Sequence, residues 1–344
     1  MKRLLAVMAA LTFSLALLMP LASAETVGGE AIVQDQAKEE ADAYAAWYTA
    51  YKAQDAAKTL ELGKAFVQKF PSSKYADFIK KDFLRENGIL FAAAVQAKNV
   101  GDIIRIGKEV MTDNPDNLDF ASAVVVQIRT IEINANPPVY THAADAADFA
   151  ERSIKLAEAG KVAGDPKIFN KNITLAYMHQ TLGMLADHSK NADKALSEYE
   201  KAGALEPTNP TYSFHCGRIH NDKYAAAATK YEAAQKKADA IPDADRSAAE
   251  PKPEVKAALD ESKAALAEVN SQADAVITCW ARFLGLTVDK KDWDSIRPRI
   301  LQAFTELYKF RHNGSTDGLD KLIDQNRANP SSSTANSAAA AAKS

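Results

Sequence analysis

A glycine-to-proline spacing that recurs along the chain constrains its fold more than any other feature. Leu60-Glu61-Leu62-Gly63-Lys64 is followed by Pro71, and Ile104-Arg105-Ile106-Gly107-Lys108 by Pro115. In both cases the proline lies eight residues past the glycine, and the two segments are offset by 44 residues. A fixed internal period of this size marks stacked supersecondary units. Further units carry Ala150, Ile154 and Ala157, then Ala195, Tyr199 and Ala202 with Pro207, then Ala227, Tyr231 and Ala234. Spacings of i, i+4 and i+7 put these residues on one face of a helix. A second amphipathic stretch precedes each helix, as in Tyr44-Trp47-Tyr48-Tyr51 and residues 78–97, 120–133 and 173–186. The expected order is helix, turn, helix, prolyl turn. Proline cannot continue a helix and restricts the residue before it. One such hairpin cannot bury its own apolar stripe, so neighbours must stack. Composition agrees: 66 of 344 residues are alanine and only 14 are glycine, which favours helix over glycine-rich nucleotide loops.

Leu182-Gly183-x-x-Ala186, followed by Ala195, Tyr199, Ala202 and Pro207, resembles a tetratricopeptide repeat running from Ala176 to Asn209. In that family the glycine and small residues let two helices approach, and the aromatic fills the space between them. His179 stands where the family usually has tryptophan. A fifth unit from Pro210 keeps Gly217 with a shortened connection between its helices. The earlier units are similar to the divergent repeats of bacterial envelope proteins, most closely in Phe70-Pro71-Ser72-Ser73-x-Tyr75-Ala76. The resemblance implies an all-α, TPR-like helical-hairpin solenoid over residues 25–241, and function only by class. In that family the first helices line the concave, partner-binding surface. Carried over, the fourth repeat offers Tyr177, Gln180, Met184 and Asp187, and the fifth offers Thr211, Phe214, Arg218 and Asn221. Tyrosine, phenylalanine, methionine and arginine are types enriched at interfaces. The competing reading for Phe214 is that it packs against the long helix that follows.

The two ends and the C-terminal third read differently. Met1-Lys2-Arg3, an apolar run over residues 4–19, Pro20 and Ala22-Ser23-Ala24 are expected to form a cleaved secretory signal over residues 1–24. The run is too short to span a bilayer, and no comparable run recurs. The expectation is an exported protein, periplasmic or secreted, with no integral membrane segment after cleavage. Residues 242–253 are a polar linker with prolines. Beyond it Val255, Leu259, Ser262, Leu266, Val269, Ala273, Val276, Trp280 and Phe283 alternate at spacings of four and three. That is the seam of one long helix, lying either on the last repeat and the next helix or on a second copy of the chain. The C-terminal helical segment covers residues 254–327. Asp292 is expected to cap its last long helix, which stops near His312-Asn313-Gly314 and is followed by a short helix near Leu319. Residues 328–344 read as a disordered Ala/Ser-rich tail.

Chemistry finds little support. No phosphate-binding loop, zinc-protease motif or nucleophile elbow occurs. The nearest approach to a metal cluster is His215-Cys216-x-x-x-His220, but histidines five apart on a helix point about 140° from one another. Neither a metal nor a cofactor is expected. Cys216 and Cys279 are too few for a disulfide scaffold, and the expectation is that they stay unpaired, Cys216 packing inside the fifth hairpin. A net charge of −3 offers no basic surface for nucleic acid. These observations favour a non-catalytic scaffold or adaptor that binds a protein or peptide partner in the cell envelope. The alternative is a structural subunit of an envelope assembly or transport complex, a homo-oligomer held through the C-terminal helix.

Overall fold

In the computed structural model, which describes residues 27–329, the chain is all-α, with thirteen α-helices and no strand among the described residues. The expected signal sequence and nearly all of the expected C-terminal tail lie outside them. The helices are α1 (Val27–Lys52), α2 (Ala56–Lys69), α3 (Ala76–Gln96), α4 (Val100–Asp113), α5 (Leu118–Ile128), α6 (Ala143–Glu158), α7 (Lys171–His188) and α8 (Ala192–Leu205). They continue with α9 (Pro210–Asp239), the short α10 (Asp243–Arg246), α11 (Pro253–Leu286), α12 (Arg297–Arg311) and α13 (Leu319–Ala328). No helix among the described residues is long and apolar enough to cross a membrane.

The chain divides into two compact units, one through Leu90 and the other from Phe91, a boundary inside α3. In the first unit α1 packs on α2 around Trp47, Phe66 and Ile79, with Tyr44, Tyr51, Tyr75 and Phe83 against them. Tyr44 stacks on Tyr75 with ring centres 4.1 Å apart. In the second unit each helix from α4 to α9 packs on the next, and α11 packs on α9, α12 and α13.

Local chemistry sets the helix ends. Asp55, Asn99, Asn117, Asn170, Asn191 and Asn209 each accept a hydrogen bond from a backbone amide of the helix they precede. These are residues whose short side chains satisfy the orphan amides of a first turn. Three hairpins turn identically just before the cap. Gln54, Lys98 and Lys190 are left-handed, with φ of 59°, 52° and 62°. The cap's own amide then reaches back to Ala50, Ala94 and Ala186 respectively, closing the last turn of the preceding helix. The prolyl turns also repeat. Phe70, Asn114 and Glu206, each before a proline, leave the helical region with φ between −125° and −134° and ψ between 60° and 74°, as the proline ring demands.

The fifth unit is not a hairpin. Residues 210–239 form one uninterrupted helix of 30 residues. Between Gly217 and Ala234 there is neither glycine nor proline, and Ala225-Ala226-Ala227-Ala228 favours continuing the helix. The face of α9 that a second repeat helix would have covered is covered by α11. The C-terminal seam is mostly buried within the chain: Ala273, Val276, Trp280 and Phe283 share a core with Phe304, Leu307, Tyr308, Leu319 and Ile323, whereas Leu266, expected in the same seam, is exposed. Residues 242–253 join two helices packed along one another, and Pro253 opens α11 at its first position. Asp292 does not cap α12. It lies in a separate 3₁₀ turn, Lys291–Trp293, and α12 begins at Arg297 because Pro298 suits a first turn and not a helix interior.

Candidate functional site

Helices α5, α7, α8 and α9 bring basic and aromatic side chains together around Arg129. Helix α5 runs into a π turn, Arg129–Ile133, a widened backbone that recurs at functional positions. The Arg129 guanidinium lies 4.2 Å from the centre of the Tyr177 ring, a cation–π geometry. Its Nη1 donates to Thr181 Oγ1 over 3.4 Å, and the Thr181 hydroxyl donates to the Tyr177 carbonyl at 2.9 Å. Arg129 is only 8% exposed. Among the described residues no carboxylate pairs with it, and its Nε meets no protein acceptor. Burial pushes its pKa down, and neighbouring Tyr177, Tyr212 and Tyr199 push it back up.

Tyr199 and His215 stack on one another, with ring centres 4.7 Å apart and planes within 3°. Gly183 makes room for this, since a Cβ there would lie 3.0 Å from the Tyr199 ring. Neither Tyr199 Oη nor His215 Nδ1 has a hydrogen-bond partner among the described residues. Burial pushes the His215 pKa down to about 4, with the Arg218 charge acting in the same direction. Burial, then Asp187, pushes that of Tyr199 up. Near neutral pH the site therefore holds one buried cation beside a neutral imidazole and a neutral phenol. Arg218 pairs with Asp187 and, at 3.2 Å, with Asp222. Close by, Tyr140 stacks on His188 at 3.6 Å.

Of the eight candidate partner-binding residues, Tyr177, Asp187 and Arg218 belong to this cluster. Met184 packs at the edge of the Ala176, Tyr199 and Tyr212 core. Gln180 is buried. Thr211 donates its backbone amide to Asn209 in the cap of α9, and Asn221 is half-buried. Phe214 packs into the C-terminal core, 5.6 Å from both Phe283 and Trp293, so it lies against the long helix. Sequence reasoning passed over Arg129, Thr181, Tyr199 and His215 as site residues. The signal for Arg129 was available: a lone arginine closes the apolar run Val124-Val125-Val126-Gln127-Ile128.

The cysteines also depart from expectation. Cys216 and Cys279 form a disulfide, with Cα atoms 5.9 Å apart, because α11 returns antiparallel along α9. His220, one helical turn beyond Cys216, brings a ring nitrogen to within 4.8 Å of both sulfurs. His215 and His220 point about 140° from one another, but Cys216 and His220 are four apart and share a face.

No protein-family model matches the chain, and no curated protein matches it in sequence.

His215 makes stability depend on pH. Its folded pKa lies near 4, below the unfolded value of about 6.5. The unfolded chain therefore binds the extra proton between these values, so stability rises with pH across that window and falls on acidification. The expected loss from pH 6.5 to 4 is about 3 kcal/mol, at roughly 1.4 kcal/mol per pKa unit. Glu198 adds a loss of the same sign at lower pH. Burial alone would raise its pKa, but hydrogen bonds from Lys201 and His179 lower it overall. Denaturation midpoints measured across this range check the assignment, and a His215→Phe chain should show a flatter profile above pH 4.

Proposed function

We propose that the chain is an exported helical-repeat scaffold of tetratricopeptide type that binds a protein or peptide partner in the cell envelope and catalyses no reaction. The repeated caps, left-handed turns and pre-proline conformations support the repeat reading. The observation that carries the binding reading is Arg129, a buried cation with no carboxylate partner among the described residues, set beside two buried polar atoms that likewise lack partners there. A buried charge left unneutralised is costly, and partly satisfied polar clusters in native folds mark functional positions. The group that completes this site is an acidic one: the side chain of an aspartate or glutamate, or a C-terminal carboxylate, presented by an extended or helical peptide. Arginine and Tyr177 suit planar, bidentate recognition of a carboxylate. Tyr199 Oη supplies a second donor. The interior use of the α11 seam argues against self-association through that helix.

Selection of peptides from a random display library on the full chain tests this reading. The expected result is enrichment of sequences with an acidic residue at one fixed position or at the C-terminus. Arg129→Met should lower their affinity roughly 10- to 100-fold, the range for a hydrogen bond to a charged group. It should leave folding stability unchanged or raised, since methionine fills similar space without the buried charge. Enrichment with no acidic preference, or equal affinity in the Arg129→Met chain, overturns the assignment.

A further inference from the structure

We propose that Cys216, His220 and Cys279 form a three-ligand site for Zn²⁺ when the disulfide is open, so that disulfide formation and metal binding exclude one another. The ligand atoms already lie within 4.8 Å of one another. Tetrahedral zinc with ordinary bond lengths needs sulfur–sulfur and sulfur–nitrogen separations of about 3.8 and 3.6 Å. Cys216 and His220 face the same way from α9, and Cys279 meets them from α11, so both walls are packed helices rather than loops.

Gln272 supplies an independent observation. Its amide nitrogen donates to Glu268 at 2.8 Å, which turns its oxygen toward His220 Nδ1, 2.9 Å away. An amide oxygen only accepts, so Nδ1 carries the proton and Nε2 keeps the lone pair. The hydrogen bond to Gln272 commits Nδ1 and leaves Nε2 as the nitrogen able to ligate, and fixing the imidazole tautomer through its other nitrogen is how structures orient a metal-binding histidine. Two thiolates and an imidazole suit zinc by ligand softness, and three protein ligands leave one position open to exchangeable water. Cys216 and His220 are both half-buried rather than sealed, so an ion can reach them.

The chemistry balances as two steps. A dithiol reductant transfers two electrons and two protons to the Cys216–Cys279 bond, giving two thiols and its own disulfide. Zn²⁺ then displaces both thiol protons to solvent and takes the His220 lone pair.

Co²⁺ gives the test a spectroscopic readout, because thiolate ligation produces an intense sulfur-to-metal charge-transfer absorption. The full chain is titrated anaerobically, once as the disulfide and once after phosphine reduction and removal of the reductant. The reduced chain is expected to bind one equivalent of Co²⁺ with that absorption, displaced by Zn²⁺, and the oxidised chain none. Gln272→Leu, which leaves all three ligands in place, should weaken binding about 10- to 100-fold, and His220→Ala should weaken it further. Circular dichroism monitors helix content throughout. The proposal is overturned if the reduced wild-type chain gives no charge-transfer absorption, or if His220→Ala binds as tightly as wild type. It is equally overturned if reduction abolishes the helical signal and Zn²⁺ does not restore it.

Discussion

Trp280→Ala is expected to lower stability by about 3–5 kcal/mol, the cost of emptying a large buried aromatic site. Trp280 is 5% exposed and sits in the C-terminal core with Phe283, Phe304 and Tyr308. Its ring lies directly over Gly217 of α9, where a Cβ would overlap the indole. The close approach of α9 and α11 thus depends on having no side chain at one position and the largest side chain at the other. Gly217→Val should also destabilise, by about 1–3 kcal/mol or more, through overpacking. The two changes should be strongly non-additive, since removing the indole makes room for the valine. Denaturant melts of the two single variants and the double variant measure the coupling. Additive losses would mean that the residues do not share this space.

Gly217 also shows how much of the fold could be read from the sequence. It was recognisable as a close-approach glycine by analogy with Gly183, whose partner is Tyr199. The partner inferred for Gly217 was a second helix of the same hairpin. In fact it is Trp280, 63 residues away. Local signals carried the regular hairpins because their turns are made locally: the pre-proline residues and the asparagine caps need no distant contact. The continuation of α9 through residues 220–234 was a competition between repeat spacing and alanine-rich helix propensity, and propensity prevailed because α11 supplied the burial. The same antiparallel return of α11 explains the disulfide. Cys216 and Cys279 meet only once the register of two long helices is set, and no local pattern specifies that register.

The candidate site was legible in part for a related reason. Tyr177, Asp187 and Arg218 lie on helix faces that repeat spacing identifies. Arg129 lies where α5 loosens into a π turn, and hydrophobic periodicity does not register such a turn. It stands out because no carboxylate among the described residues pairs with it, which only the packing of α5 and α7 reveals. Sequence spacing presents His215 only as a neighbour of Cys216 and His220. Its stacking on Tyr199 and its depressed pKa arise from burial between α8 and α9.

Removing the cross-link is the other change expected to have a large effect. A chain carrying Cys216→Ser and Cys279→Ser should be less stable by about 4 kcal/mol at 25 °C, the chain-entropy figure for a closed loop of about this length. The loop follows from the 63-residue separation of the two cysteines. In that account the effect acts on the unfolded chain, which the bond keeps compact, rather than on native contacts. This gives the prediction a second observable. The denaturant slope should rise in the double serine chain because its unfolded state exposes more surface, while the helical signal before unfolding stays the same. A lowered midpoint with an unchanged slope would instead place the effect in native packing, in the contact of Cys216 and Cys279 between α9 and α11. The two outcomes bear differently on reduced wild-type protein. If the bond acts through the unfolded chain, reduction leaves α9 and α11 packed and their thiols held beside His220. Zn²⁺, which binds the folded arrangement and not the open loop, should then recover stability in proportion to the logarithm of its concentration above the dissociation constant, and the double serine chain should not respond.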